Sequence, residues 1–367
     1  MLKGNKGEWS EIYALLKLLG DGKVYSADEN TEKVEEDFFP IVKIVRSEKQ
    51  SEKYEYVVED TTKKVKIVLN GTPVGEYDAS LIDGKAKELL STIVSAPIGG
   101  TFPASATEAF MNTLGCYMLK APVFGAKGKK LGKTDITMQI YDAHTGRKPT
   151  SGFSVKSRLG GAATLLNASG ATNFIYEVEG LTATDIREIN AINDKTSKVR
   201  KRLSAIREKG ARIRFSHMAN KTFACNLELT DSKFCEVLAN SLIYYYSGEA
   251  TNCLDIIDKL TERNPLCVSN RNYYRRNYKD FLVDVTLGME PATSWDGNDE
   301  AEGGCIWVKE NGEVLVYYIW NHNKLEDYLV NNTKFDTPST TKHKFASLYT
   351  EGGKTYINLN MQIRFIK

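Results

Sequence analysis

Two short alternating stretches, residues 134–140 and 152–158, constrain the fold more than any other part of this chain. In TDITMQI, Asp135, Thr137 and Gln139 fall on one face of an extended segment, and Ile136, Met138 and Ile140 on the other. In GFSVKSR, Phe153 and Val155 take the apolar side, while Ser154, Lys156 and Arg158 take the polar one. Joined by loop 141–151, the two segments predict an antiparallel hairpin that buries one face. Its polar face then sets Asp135 beside Lys156.

Around this hairpin the chain alternates helical and extended periods. Residues 7–19 place Glu8, Ile12, Leu15, Leu16 and Leu19 on one helical stripe, which Gly20 is expected to stop before Gly22 opens a turn. Strands are expected at 38–46 and 63–70, with Asn70-Gly71 as a turn, and a helix at 78–94. Residues 96–132 read as loosely built around one short helix. A helix or turn follows at 161–170 and a strand at 172–178. Helices are expected at 182–191, 195–209, 229–246 and 251–263, then strands at 305–308, 313–319, 344–348, 355–359 and 362–366. The class is mixed α/β (α+β), without internal repeats. A chain of 367 residues has room for two or three units of about 100–200 residues each. No stretch of about 18 apolar residues is present, and the start lacks the apolar run of a signal peptide. Six cysteines and four histidines are scattered without paired spacing, which argues against a zinc site and for buried, reduced thiols.

The formal net charge of +2 hides a segregated distribution. Residues 1–60 carry 14 acids and 9 bases, a net of −5. Residues 195–214 carry 9 bases and one acid, a net of +8, and 121–133 add four lysines and no acid. A third cluster, 270–279, interleaves Arg271, Arg275, Arg276 and Lys279 with three tyrosines. Within 195–209, Val199, Leu203 and Ile206 form a docking stripe, leaving a basic face. Separating like charges costs self-repulsion, and a polyanion offsets it, so these clusters point to nucleic acid. The plain alternative is a solvated basic surface.

On the hairpin, a carboxylate at Asp135 and an ammonium at Lys156 suit phosphodiester hydrolysis. The carboxylate holds Mg²⁺, which prefers oxygen ligands, together with the main-chain carbonyl of Val155. The lysine orients or deprotonates the attacking water and offsets charge on the phosphorane. This is the D…(E/D/S)xK arrangement of PD-(D/E)xK nucleases, although an amphipathic hairpin with a solvent-facing lysine carries the same letters. Asp135 alone is too little carboxylate, and Glu8 and Glu11 of the first helix are candidates for the rest. Beyond the hairpin, Arg158, Thr164, Asn167, Ser169 and Thr172 lie near Gly160-Gly161, where a backbone can approach phosphate.

Taken in order, GNKGEWSEIYALLKLLGDGKVYSADE, KTDITMQIYDAHTG, GFSVKSRLGGAATLLNASGATNFIYEV and KHKFASLYTEGGKTYINLNMQIRF resemble the HpaII family of type II restriction endonucleases. The resemblance implies a PD-(D/E)xK core with a mixed central sheet flanked by helices, and a C-terminal helical and β-hairpin region for DNA recognition. It implies Mg²⁺-dependent double-strand cleavage at CCGG, with Mn²⁺ as a substitute ion, leaving 5′-phosphate and 3′-hydroxyl ends. Asp135 and Lys156 then take the family's metal-binding and catalytic places, and Ser154 stands where (D/E)xK has its acid. Thr134 replaces the proline before Asp135, and no glutamate follows Lys156 by a little over a dozen residues. The second acid is therefore sought at Glu8 or Glu11, with Glu177 in reserve. Residues 1–180 are expected to hold the catalytic core. Residues 181–367 are expected to clamp the duplex and pack with the core as one unit. Arg158, Thr164, Asn167, Lys198, Arg200, Arg202, Arg275, Arg276, Lys342 and Lys344 are the DNA-binding candidates. A bacterial cytoplasmic homodimer on a palindromic site is expected, with a monomer cutting each strand in turn as the alternative. The cognate DNA methyltransferase is a genetic rather than a physical partner. A non-catalytic nucleic-acid binder and a nuclease of relaxed specificity are the rival readings.

Overall fold

A computed structural model describes residues 1–49, 52–125, 128, 130–194, 196–343 and 345–366. The chain enters through helix Lys6–Asp21, whose start is a reciprocal capping box. The Asn5 side chain accepts from the Glu8 N–H at 3.0 Å, and Glu8 Oε2 accepts from the Asn5 N–H at 2.8 Å. The helix ends where Gly22 takes a left-handed φ of 66° and donates to the Leu18 carbonyl at 3.0 Å. Trp9, Ile12, Leu15, Leu16, Leu18 and Leu19 are buried, so the helix is covered on most sides.

The cover is a nine-stranded mixed sheet. The predicted hairpin forms as Ile136–Ile140 against Thr150–Ser157, with Ile136 opposite Phe153 and Gln139 opposite Thr150. Thr150–Ser157 pairs in parallel with Gly304–Val308, which pairs antiparallel with Val314–Tyr318, and that strand runs parallel to Lys23–Ala27. Lys33–Lys49 pairs with Lys23–Ala27 along its first half and then with Ile136–Ile140, Val45 facing Thr137. That last pairing closes six strands into a ring, a feature absent from the expected helix-flanked sheet. Closure is possible because Lys33–Lys49 spans 17 residues, about 55 Å of extended chain and enough to serve both partners. Glu52–Glu59, Lys64–Leu69 and Thr72–Asp78 extend the sheet antiparallel. Asn70-Gly71 forms the two-residue turn, with φ of 48° and 88°.

Two strands of the ring, Gly304–Val308 and Val314–Tyr318, come from the C-terminal half, so a core confined to 1–180 is incomplete. Both are buried on both faces. Ile306, Val308, Val316 and Tyr318 face the core around the first helix. Cys305, Trp307, Leu315 and Tyr317 face a second core built on Phe234–Tyr246, Cys253–Arg263, Asn272–Leu287 and His322–Asn332. Gly304 has φ 113°, and a Cβ there would stand 2.0 Å from the Tyr317 carbonyl oxygen, so only glycine lets the strands meet.

The second region departs from the expected elements in several places. Asn173–Glu179 belongs to a separate four-stranded sheet with Arg212–Met218, Lys354–Asn360 and Leu348–Glu351, not to the ring. Residues 161–170 hold no α-helix: Thr164–Leu166 is a strand in a three-stranded sheet with Ile363–Phe365 and Thr333–Phe335. The helix expected at 229–246 is two, Lys221–Thr230 and Phe234–Tyr246, because Asp231 turns the chain by accepting from the Lys233 N–H at 2.8 Å. The strand expected at 344–348 begins at Leu348. Lys127, Lys129, Lys195 and Lys344 lie outside the described residues. Cys116, Cys253 and Cys305 are buried free thiols as expected, whereas Cys225 and Cys267 are exposed.

Candidate active site

The hairpin starts with the Asp135 N–H donating to the Phe153 carbonyl at 2.9 Å, which sets Asp135 opposite Ser154. Asp135 Oδ2 accepts from the Val155 N–H at 2.8 Å and, at a long 3.5 Å, from the Ser154 hydroxyl. Lys156 Nζ donates to Ser154 Oγ at 2.9 Å. Asp135, Ser154 and Lys156 therefore form one connected row, with the Asp135 side chain 8% exposed. N–H and C=O of one strand residue leave by the same edge, so the Val155 carbonyl also points toward Asp135, beyond the end of the neighbouring strand.

The first helix supplies the second carboxylate. Ser157 Oγ donates to Ser10 Oγ at 2.8 Å, locking the helix to the strand that carries Lys156. The next residue, Glu11, thereby reaches the cleft. Lys120 Nζ lies 3.0 Å from Asp135 Oδ1 and 3.6 Å from Glu11 Oε1. Burial, and then the Asp135 carboxylate, push the Glu11 carboxyl up to about 7 despite the pull of Lys120. Lys133 comes in from the same strand lead, and burial followed by repulsion from Lys156 pushes it down to about 8. These groups line a cleft of about 450 Å³, whose rim includes Lys6, Gly99, Gly100, Gly160, Gly161 and Glu290.

Of the acids considered for the metal, Glu8 is held in the capping box and Glu177 pairs with Lys354 at 3.0 Å in the separate sheet. Glu11 alone joins Asp135. Two carboxylates and a main-chain carbonyl are a hard oxygen set, which suits Mg²⁺ retaining several of its waters. The ammonium of Lys120 between the carboxylates marks a place built for positive charge. Among the described residues no group of three or more His, Cys, Asp or Glu gathers as a metal cage, so the fit is to an ion of this partly hydrated kind.

Thr164 and Asn167 line the cleft. Ser169 and Thr172 instead cap a single 3₁₀ turn. Arg158 turns away, because the strand and its alternation end at Ser157. Its Nη2 donates to Tyr328 Oη at 2.9 Å. Arg202 is buried and donates to the carbonyls of Asn190, Ile192 and Ala346 and to Ser347 Oγ, a clamp rather than a DNA contact. Val199, Leu203 and Ile206 do bury the apolar stripe of their helix, Lys198–Glu208. Lys198 and Arg200 line a second groove of about 590 Å³ with Tyr245 and residues 337–340. Lys342 is exposed just beyond that segment. Three of the four bases in the third cluster are paired with acids, and Arg271 donates to the carbonyls of Thr261 and Glu262. Arg276 pairs with Asp280 and Glu326, Lys279 with Glu326 and Asp327, and Arg275 with Asp327 at 3.7 Å. Tyr274 and Tyr278 are buried, so they offer no stacking surface. Sequence reasoning missed Lys120, Lys133 and Glu290. Lys133 alone carried a signal, since it stands two residues before Asp135 and alternation puts both on one face.

A carboxylate pair beside a serine-held lysine is able to hold a hard divalent ion and to orient water at a phosphodiester. The family profile for the HpaII restriction endonuclease matches residues 5–365. The type II restriction enzyme HpaII of Haemophilus parainfluenzae is 38% identical over 370 aligned positions, covering 99% of this chain and 98% of that relative. No solved structure matches the chain. The chain belongs to the HpaII restriction endonuclease family and is a type II site-specific deoxyribonuclease. Among the described residues no helix is long and apolar enough to cross a membrane.

Proposed function

We propose that this enzyme cuts both strands of duplex DNA at CCGG in a Mg²⁺-dependent reaction, leaving 5′-phosphate and 3′-hydroxyl ends, from a PD-(D/E)xK-type site. The observation that supports the reading is the meeting of Glu11, Asp135, Ser154 and Lys156 in one cleft from two distant parts of the chain. Asp135, Glu11 and the Val155 carbonyl would hold the ion, with Mn²⁺ able to take its place. Bound there, Mg²⁺ supplies Lewis-acid polarisation of the phosphate and charge to offset the phosphorane. The Val155 N–H fixes Asp135 Oδ2 and so leaves Oδ1 facing the cleft. Ser154, fully buried, is too short to reach an ion in the manner of the missing acid. It holds Lys156 by its hydroxyl instead. Lys156 then orients the attacking water and stabilises charge on the phosphate oxygens. Guanine reading calls for Arg or Lys at O6 and N7, and Lys198, Arg200 and Lys342 are the candidates, lining or lying just beyond the second groove. A homodimer matches a two-fold site, and the bacterial cytoplasm, beside a cognate methyltransferase, is the setting such an enzyme requires. The test is plasmid digestion with Mg²⁺ by the wild type and by Asp135→Ala and Lys156→Ala. Discrete fragments ending in CCGG half-sites, abolished by EDTA and reduced at least about 100-fold in both variants, are expected. Wild-type binding without cleavage, or a smear, would overturn the reading.

A further inference from the structure

Lys120 stands outside the Asp135–Ser154–Lys156 row, yet its ammonium lies between the two carboxylates assigned to the ion, 3.0 Å from Asp135 Oδ1 and 3.6 Å from Glu11 Oε1. Its root is held from below. Arg46 and Glu48 form an ion pair whose side chains are 9% and 1% exposed. Arg46 Nη2 donates to the Met118 carbonyl and, at 3.5 Å, to that of Leu119, while Glu48 Oε2 accepts from the Tyr117 N–H at 2.9 Å. The segment leading to Lys120 is thus fixed by a buried clamp, whereas the Lys120 side chain is 57% exposed. It is anchored at the backbone and able to leave at the tip without uncovering a core.

A divalent ion contacts carboxylate oxygens at about 2.0–2.1 Å. An ammonium held at hydrogen-bond distance from the same Asp135 oxygen would then sit within a few ångströms of a doubly charged ion, and repulsion between them is strong in a half-buried cleft. We propose that Lys120 is an internal cation that metal must displace: it neutralises Asp135 and Glu11 until a divalent ion exchanges for it. The proposal rests on the assignment of the ion to Asp135 and Glu11. Its consequence is that removing the ammonium strengthens metal binding, the opposite of what loss of an ordinary site residue does.

The test is direct Mn²⁺ binding to the full-length protein without DNA, read from the electron paramagnetic resonance signal of free Mn²⁺. Lys120→Met is expected to bind about fivefold more tightly than wild type, the effect of deleting one partly exposed ion pair. Lys120→Arg, which keeps the charge, is expected to bind as wild type does. Lys6→Met removes the same charge from the cleft rim, where Lys6 Nζ donates to the Val94 carbonyl at 3.2 Å, and sets the background from charge alone. A gain in Lys120→Met no larger than in Lys6→Met, a loss of affinity, or an equal gain in Lys120→Arg overturns the exchange. Asp135→Asn separates the two levels. If it abolishes Mn²⁺ binding while Lys120→Met shows no gain, the metal assignment stands and the exchange fails. If it binds as wild type does, the assignment itself fails and the exchange with it.

Discussion

Glu8 and Glu11 sit less than one helical turn apart and have opposite tasks. Glu8 closes the capping box with Asn5, while Glu11 faces Asp135 across Lys120. Replacing Glu8 by alanine is expected to leave cleavage intact and lower stability by about 0.5–1 kcal/mol, the worth of a cap. Replacing Glu11 by glutamine is expected to cut cleavage at least about 100-fold, because Asp135 is then the one carboxylate left for the ion. Stability moves the other way, and only at high pH. Glu11 titrates near 7 in the folded protein and at 4.5 as the ordinary value, so the folded state binds the extra proton between those limits. Stability is therefore full below pH 4.5 and is lost as pH rises through 7. Without divalent ions, Glu11→Gln should melt with wild type at pH 4 and gain up to about 3 kcal/mol at pH 8. Thermal melts at the two pH values and a plasmid assay check both halves.

Among the elements, the segment 117–120 is the least regular part of the site and the most dependent on burial elsewhere. Arg46 and Glu48 hold it from strand Lys33–Lys49. Arg46→Met alone leaves Glu48 charged and unpaired in the interior and should cost about 3–5 kcal/mol. Arg46→Met with Glu48→Leu should recover most of that loss in urea unfolding. Such a clamp is invisible to local pattern reading. The hairpin was legible because its pairing partners lie within 25 residues and alternate strictly, and the first helix because Ile12, Leu15, Leu16 and Leu19 recur at helical spacing ahead of Gly22. Lys23–Ala27 and Thr72–Asp78 escaped because they are short or broken by Ser26, Pro73 and Gly75, whereas Glu52–Glu59 sets Tyr54, Tyr56 and Val58 on one face and carried a readable signal. Closure of the ring escaped, and the second acid was narrowed only to Glu8, Glu11 or Glu177, for another reason: each depends on contacts more than 90 residues apart along the chain, Val45 with Thr137 and Glu11 with Asp135. The basic helix was legible as amphipathic, but the buried clamp of Arg202 depends on carbonyls at 190, 192 and 346 that no spacing announces.

For the whole molecule the question is which of the positive groups meet the duplex, since a net charge of +2 says little. The three-stranded sheet answers part of it. Thr164, on the cleft wall, pairs with Arg364, which pairs with Lys334. Side chains of directly paired residues share a face, so this row runs about 10 Å from the cleft at about 4.8 Å per strand. The chain continues from Phe335 into residues 337–340, a wall of the groove that holds Lys198 and Arg200. Arg364 itself pairs with Asp336 at 2.8 Å, so we propose that the duplex, if it runs from the cleft to this groove, is met chiefly by Lys198 and Arg200. Arg275 and Arg276, by contrast, are matched by Asp327, Asp280 and Glu326, and moving Arg276 to phosphate would take one of the cationic partners from Glu326, which is buried beside it and also held by Lys279. Counterion release distinguishes the two sets. A double variant Lys198→Ala with Arg200→Ala should weaken DNA binding across cognate and unrelated duplexes alike. It should also reduce the slope of log affinity against log salt by about 2, close to 0.9 for each phosphate that is no longer neutralised. Arg275→Ala with Arg276→Ala should leave that slope unchanged and lower the melting temperature instead. Fluorescence anisotropy with labelled duplex over a salt series, in EDTA to prevent cleavage, measures both slopes, and a thermal melt reads the stability of the second pair. An unchanged slope in the first pair, or an equal fall in the second, would move the duplex off the groove.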